Sequence, residues 1–313
     1  MIEGWLPWVA FNAFVLLMLA LDLGLFHRHA HAVSFREAIA WTAFWIVLAL
    51  LFAAAVSYWM NVDYAMQFLT GYLIEKSLSV DNIFVFALIF SYFNTPHQYQ
   101  HRVLFWGIIG ALLMRAFMIA VGATLIEQFH WIIYLFGSFL LLTGIRIAVK
   151  SEAGIHPEQN PLIRLFKKIM PVTSEYSDGR FFTMLNGKRY ATPLFLALIM
   201  IESADIVFAV DSIPAIFAVA NDPFIVYTSN VFAILGLRSL YFALADLIYR
   251  FHYLKFGLAV IMTFVGMKML FMDIYRIPIG FSLAFIMGII VVAIVASLRF
   301  GPDQQSSGAL KDK

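Results

Sequence analysis

The chain contains no cysteine. That excludes disulfides, thiolate metal ligands and dithiol redox chemistry in one stroke. Charge is also scarce: only 13% of residues are charged, against 62% hydrophobic, with a mean hydropathy of +0.85. A soluble domain carries nearer a quarter charged residues. No long basic run or RNA-binding signature points to nucleic acid. Hydrolytic triads, phosphate loops and metalloprotease motifs are missing, as is any haem or quinone signature, so an enzyme is not expected. The first apolar stretch lacks a basic flank and a small-residue cleavage site, and reads as a retained helix rather than a signal peptide.

What remains is a polytopic membrane protein. About 20 apolar residues cross a bilayer core. Nine stretches qualify, at roughly 5–26, 37–59, 64–92, 102–124, 130–149, 192–220, 227–248, 253–272 and 278–298. Lys and Arg concentrate in one set of loops: Arg28 and Arg36, Arg102, the run from Lys150 to Arg189, Arg250 and Lys255, then Lys311 and Lys313. The opposite loops hold Glu3, Asp63, Glu127, Asp222 and Asp273, with little basic beyond Arg276. The positive-inside rule then puts the N-terminus outside and the C-terminus in the cytoplasm. The expected organisation is two N-terminal helices (1–60), a three-helix unit (61–150), a cytoplasmic loop (151–191), a second three-helix unit (192–275), a ninth helix (276–300) and a tail (301–313). Within the loop, Pro161 to Met170 is basic and amphipathic, as a segment lying on the inner leaflet would be. The tail is polar and expected to be disordered.

One motif occurs twice inside apolar helices. Glu75-x5-Asp81-Asn82-Ile83 is matched by Asp205-x5-Asp211-Ser212-Ile213. The match continues downstream, where 110–115 resembles 233–238, each ending in Arg (Arg115, Arg238). Phe129-His130 resembles Phe251-His252, and Gly144-Ile-Arg146 resembles Gly266-Met-Lys268. Each unit holds three spans, so the second enters the membrane from the other side. That is an inverted repeat, a construction that places a transport site near the midplane.

A carboxylate at the bilayer centre costs roughly 2.5–3.5 kcal/mol on insertion scales. The mid-membrane acids are Glu75, Asp81, Glu202, Asp205 and Asp211; the bases are Lys76, Arg115 and Arg238. Five less three leaves two negative charges, which a divalent cation or two protons would neutralise. The two motif acids of each copy lie about 120° apart on a helix, separated by about 9 Å, so they flank a groove rather than share a face. Arg115 and Arg238 are expected to pair with some of the acids. Pro214 is expected to kink its helix beside Asp211 and free the Val210 carbonyl. Donors are oxygen throughout: carboxylates, the Asn82 amide, and the Ser79 and Ser212 hydroxyls. Such donors suit Mg, Ca or Mn and argue against copper(I). His27, His29 and His31 form a cluster read as a solvated loop.

The runs Glu75–Ile83 and Asp205–Ala215 resemble the signatures of the TerC family, closest to its Alx-type bacterial members, within the LysE-type transporter superfamily. The resemblance covers nearly the whole chain. It implies an inner-membrane protein linked to tellurite resistance, alkaline pH and manganese-responsive expression, and in the Alx-like branch to manganese export. It implies that Glu75, Asp81, Asn82, Glu202, Asp205 and Asp211 form the metal path, with Mn2+ as cargo and no resident cofactor. An older label for such proteins is membrane redox modulator; a chain without cysteine offers no thiol basis for it. Other cations, a tellurium oxyanion, and a non-transporting scaffold are the alternatives. Homo-oligomerisation is left open.

Overall fold

The computed structural model describes residues 4–24, 34–129, 131–149, 160–173, 175–176, 179–185, 187–244, 253–275 and 277–300. The His27–His31 cluster, His130, Lys150, Arg250, Phe251, His252, Arg276, Asp246 and the tail lie outside them. So do the side chains of Asp81, Asp22 and Lys255, although their helices are described.

Helices occupy each apolar stretch. They run as α1 (Leu6–Gly24), α2 (Phe35–Trp59), α3 (Val62–Tyr92), α4 (His97–Gln128), α5 (Ile132–Val149), α6 (Pro161–Ile169), α7 (Pro193–Phe217), α8 (Pro223–Leu235), α9 (Leu237–Leu244), α10 (Leu254–Leu270) and α11 (Ile279–Phe300). Among the described residues, six segments are long and apolar enough to cross a membrane: α2, α4, α5, α7, α11, and α8 with α9 taken together. Apolar parts of α1 and α10 are shorter. The long α3 carries Asp63, Glu75, Lys76 and Asp81. This is an all-α membrane architecture with one small hairpin, β1 (Phe182–Leu185) on β2 (Lys188–Ala191), between α6 and α7.

Local sequence sets the helix ends. Asn61 accepts from the Tyr64 N–H at 3.0 Å and starts α3. Asp222 does the same for Phe224 at 2.9 Å, with Pro223 at the first helical position of α8, where a missing N–H costs nothing. Asn94 takes φ = 50° and turns the chain from α3 into α4, a left-handed conformation that Asn tolerates.

The interior has three apolar clusters. Phe11, Trp45, Phe68, Tyr72, Phe224 and Phe232 bind α1 and α2 to α3 and α8. Ile83, Phe86, Leu104, Ile163, Leu194 and Tyr241 fill the end of the bundle that carries α6 and the hairpin. Ile74, Leu140, Ala215, Met262 and Ile286 fill the space between α3, α5, α7, α10 and α11.

Helix pairing follows a regular plan. α3 packs on α7 and α8, α4 packs on the same two, and α5 packs along α10. The last seam is the tightest. A Cβ on Gly144 would stand 2.8 Å from the Thr263 nitrogen and 2.9 Å from the Ala259 carbonyl. A Cβ on Gly266 would stand 2.6 Å from the Leu141 nitrogen and 2.8 Å from the Gly137 carbonyl. Only glycine lets these backbones approach so closely.

Candidate functional site

Arg115 sits midway along α4 and is 1% exposed. A guanidinium in so dry a place must have its donors satisfied by acceptors of opposite charge. Its Nη1 forms an ion pair with Glu75 of α3, and its Nη2 reaches Asp205 Oδ1 of α7 at 3.1 Å. Nε donates to the other Asp205 oxygen at 3.4 Å, so the fork grips that carboxylate with both prongs. Nη1 also donates to Asn230 Oδ1 of α8 at 2.7 Å and to Ser212 Oγ of α7 at 3.3 Å. Four helices are thus tied to one cation. Glu75 and Asp205, counterparts in the two motif copies, are its two anionic partners.

Several buried polar atoms have no protein partner: Glu75 Oε2, Asn230 Nδ2 and the Tyr72 hydroxyl near this centre, and both amide atoms of Asn82 two turns further along α3. Buried polar groups are normally paired, so this concentration marks a place suited to water or an ion. The Ser79 hydroxyl is turned away from it and donates to the Glu75 carbonyl of its own helix at 2.7 Å.

The remaining predicted residues stand around this centre at different distances. Glu202, one turn before Asp205, lies half-buried in the space left by Gly110 of α4; a Cβ there would overlap its carboxylate. Lys76 points to the break between α8 and α9, where its ammonium donates to the Ala233 carbonyl at 3.0 Å beside Gly236. α8 ends at Leu235, leaving its last carbonyls without helical donors; a cation there is favourable to the dipole. Arg238 is 7% exposed at the start of α9 and, with Asp205, lines a narrow cleft walled by Phe86, Leu104, Ile108 and Ile201. That cleft lies on the side of α6 and the hairpin. On the other side of Arg115, Phe68, Tyr72, Ile216 and Phe232 close the interior.

Asp211 is not brought to Arg115. It is half-buried and faces α5, where the Thr143 hydroxyl donates to it at 3.4 Å and Arg146 is the neighbouring cation. Pro214 lies inside α7, which runs on to Phe217. Among the described residues no three His, Asp or Glu side chains gather as a metal cluster.

Three features escaped the sequence reading. Asn230 lies outside both motif runs; an amide in the middle of an apolar span is the signal that marks it. Gly110 gave none, since its role is to be absent where Glu202 needs room. The α8–α9 break at Gly236 was hidden inside one apolar stretch.

A helical membrane bundle with a buried arginine clasping acids from two separate helices belongs to the class of membrane proteins that keep ionisable groups at depth. The chain belongs to the TerC family: residues 60–305 match the integral membrane protein TerC family. It is 53% identical over 291 residues to the uncharacterized membrane protein STKORF319 of Myxococcus xanthus, covering 93% of this chain and 91% of that one. It is 48% identical over 315 residues to an Escherichia coli K12 protein that bears the provisional name membrane-bound redox modulator Alx, covering 97% and 98%. A Rickettsia bellii membrane protein is 41% identical over 293 residues, covering 94% and 97%. No solved structure matches the chain.

Proposed function

We propose that this protein exports Mn2+ from the cytoplasm, binding the ion where its two halves meet. The observation that carries the reading is the pairing of Glu75 and Asp205 across one buried guanidinium, beside polar atoms that have no protein partner. Glu202 stands one turn from Asp205. Three carboxylates against the Arg115 and Arg238 guanidinia leave a net negative charge that draws a cation. Oxygen donors of this kind suit Mn2+.

In this reading nine helical spans cross the inner membrane, with the N-terminus outside and the C-terminus in the cytoplasm. The units α3–α4–α5 and α7–α8/α9–α10 form the inverted repeat. Reciprocal packing supports that. Taking Gly144 and Gly266 as counterparts, each glycine meets the residues three and seven positions before the other. Exchanging the halves also maps the α3–α8 contact onto α7–α4 and α5–α7 onto α10–α3. Self-complementary contact is what a twofold relation requires.

The halves rock about this axis and expose the site to each side in turn. Metal entering between Glu75 and Asp205 must displace Arg115 from at least one of them, so guanidinium and metal alternate as the cation of the pair. Proton antiport is the proposed driving force, with vacated carboxylates taking up protons. In the same reading Asp211, on the α5 side of α7, serves the path to and from the centre, and Asp81 is assigned to that path by its motif alone. The redox role in the name of the E. coli relative would need chemistry other than thiols here, because the chain has none.

Uptake of Mn2+ into inverted vesicles carrying the purified protein tests the proposal. Wild type should accumulate Mn2+ and the Glu75→Gln and Asp205→Asn variants should not. Equal uptake by vesicles with and without wild-type protein would end it, and preference for Ca2+ or Mg2+ would reassign the cargo.

A further inference from the structure

α6 is nine residues long, and its polarity is divided sharply around its axis. At about 100° per residue, Leu162, Leu165, Phe166 and Ile169 share one face, and Arg164, Lys167 and Lys168 share the opposite one. The protein covers only one flank of the apolar face. Ile163 is 2% exposed, and the Phe166 ring lies 4.8 Å from that of Phe195. Leu162, Leu165 and Ile169 are left 43, 56 and 73% exposed.

The Phe195 contact also fixes depth. Phe195 is the third residue of α7, a helix long and apolar enough to cross a membrane. α6 therefore lies level with the first turn of a candidate span, where a bilayer crossed by α7 would have its boundary between headgroups and acyl chains. Phe182 of the hairpin packs on the same ring at 4.6 Å and carries the Arg189 guanidinium 4.5 Å above its own face. Exposed apolar side chains and the exposed Lys167, Lys168 and Arg189 thus occupy one level of the molecule.

We propose that α6 is a binding surface for anionic phospholipid. Leu162, Leu165 and Ile169 enter the outer acyl region, and Lys167 and Lys168 engage headgroup phosphates, with Arg189 beside them. Apolar burial combined with basic charge is how interfacial helices hold an anionic leaflet. A soluble partner would have to reach apolar residues lying at the membrane boundary. The inference does not depend on what the protein transports.

The absence of cysteine makes the test clean. Leu165→Cys gives a single site for a nitroxide or bimane label on the full chain, and Glu175→Cys, on an exposed part of the same loop, serves as the aqueous reference. Both are placed in nanodiscs of phosphatidylcholine with increasing phosphatidylglycerol. The label at 165 should be shielded from an aqueous quencher and reached by a lipid-borne one, while the label at 175 stays accessible to water. Lys167→Gln with Lys168→Gln should raise the phosphatidylglycerol needed for half-shielding, by roughly fivefold per lysine in binding constant. The proposal is overturned if position 165 is as wet as 175 in every lipid, or if its shielding ignores both phosphatidylglycerol and the lysines. Shielding that grows with the number of protein copies per disc would assign the surface to a second copy and also overturn it.

Discussion

Arg115 holds Asp205 by a two-pronged contact, Nη2 to Oδ1 at 3.1 Å and Nε to Oδ2 at 3.4 Å, while its remaining terminal nitrogen serves Glu75. A planar fork can do this and an ammonium cannot. Arg115→Lys should keep the charge, lose the fork, and cut Mn2+ efflux by about tenfold or more, since one misplaced bidentate contact exceeds 1.4 kcal/mol. Arg115→Met leaves two buried carboxylates without a partner and should destabilise the protein by about 3–5 kcal/mol. Efflux from loaded vesicles and thermal unfolding in detergent measure the two effects.

The Glu75 and Asp205 variants separate site from scaffold. Glu75→Gln and Asp205→Asn keep size and remove a charge each, and the asparagine amide offers the Arg115 fork one acceptor in place of two. Bacteria expressing either variant should hold as much manganese as cells lacking the protein when compared at matched levels of folded protein in the membrane. Elemental analysis of washed cells reads the first quantity and immunoblotting the second.

Glu202 depends on the room above Gly110. Gly110→Ala should expel the carboxylate from its niche and depress transport, although alanine is the better helix former. If so, Gly110→Ala should do little more once Glu202 is already Gln. A double-mutant cycle on efflux rates, with the two effects less than additive, is the expected result.

The α5–α10 seam should be intolerant on both sides. A methyl group at Gly144 or Gly266 has no void to enter, and overpacking of this kind costs about 1–3 kcal/mol. The two single alanine variants should lower the melting temperature by similar amounts, because their surroundings mirror each other. Unequal losses would weigh against the repeat.

Outside the membrane, Tyr176 donates to the Phe93 carbonyl at the α3–α4 turn and pins the loop there. Burial pushes its phenol above the ordinary tyrosine range, the nearby Thr95 hydroxyl opposing that shift. With the folded-state pKa raised, the associated stability is fully present below a pH of about 10, the unfolded value. It is lost as pH climbs through the folded one. The hydrogen-exchange protection factors of residues 179–192, corrected for base catalysis, should therefore fall above a pH of about 10 in wild type. Tyr176→Phe, lacking both the bond and the titration, should show lower protection at neutral pH and a smaller further loss with alkali.

Much of this was legible in residue patterns. Long apolar stretches give helices because an unpaired backbone is intolerable in lipid, and repeated acids at matching positions point to a candidate site because their burial is costly. What was hidden depends on side-chain direction. The angle of about 120° between Asp205 and Asp211 is legible in their spacing, but the partner each meets is not: one turns to Arg115 and the other to Thr143. Lys76 follows Glu75 directly yet serves a different helix. Asn230 carries no charge, and Gly110 contributes only emptiness. Such relations arise from packing and have no periodic trace.

The glycine seam between α5 and α10 carries one more implication. A joint whose two sides interlock at the same offsets resists slippage lengthwise, because either shift would drive both glycines into backbone at once. These two helices, one from each half, should then serve as the pivot on which the halves turn, with the larger displacements falling to the looser elements around it.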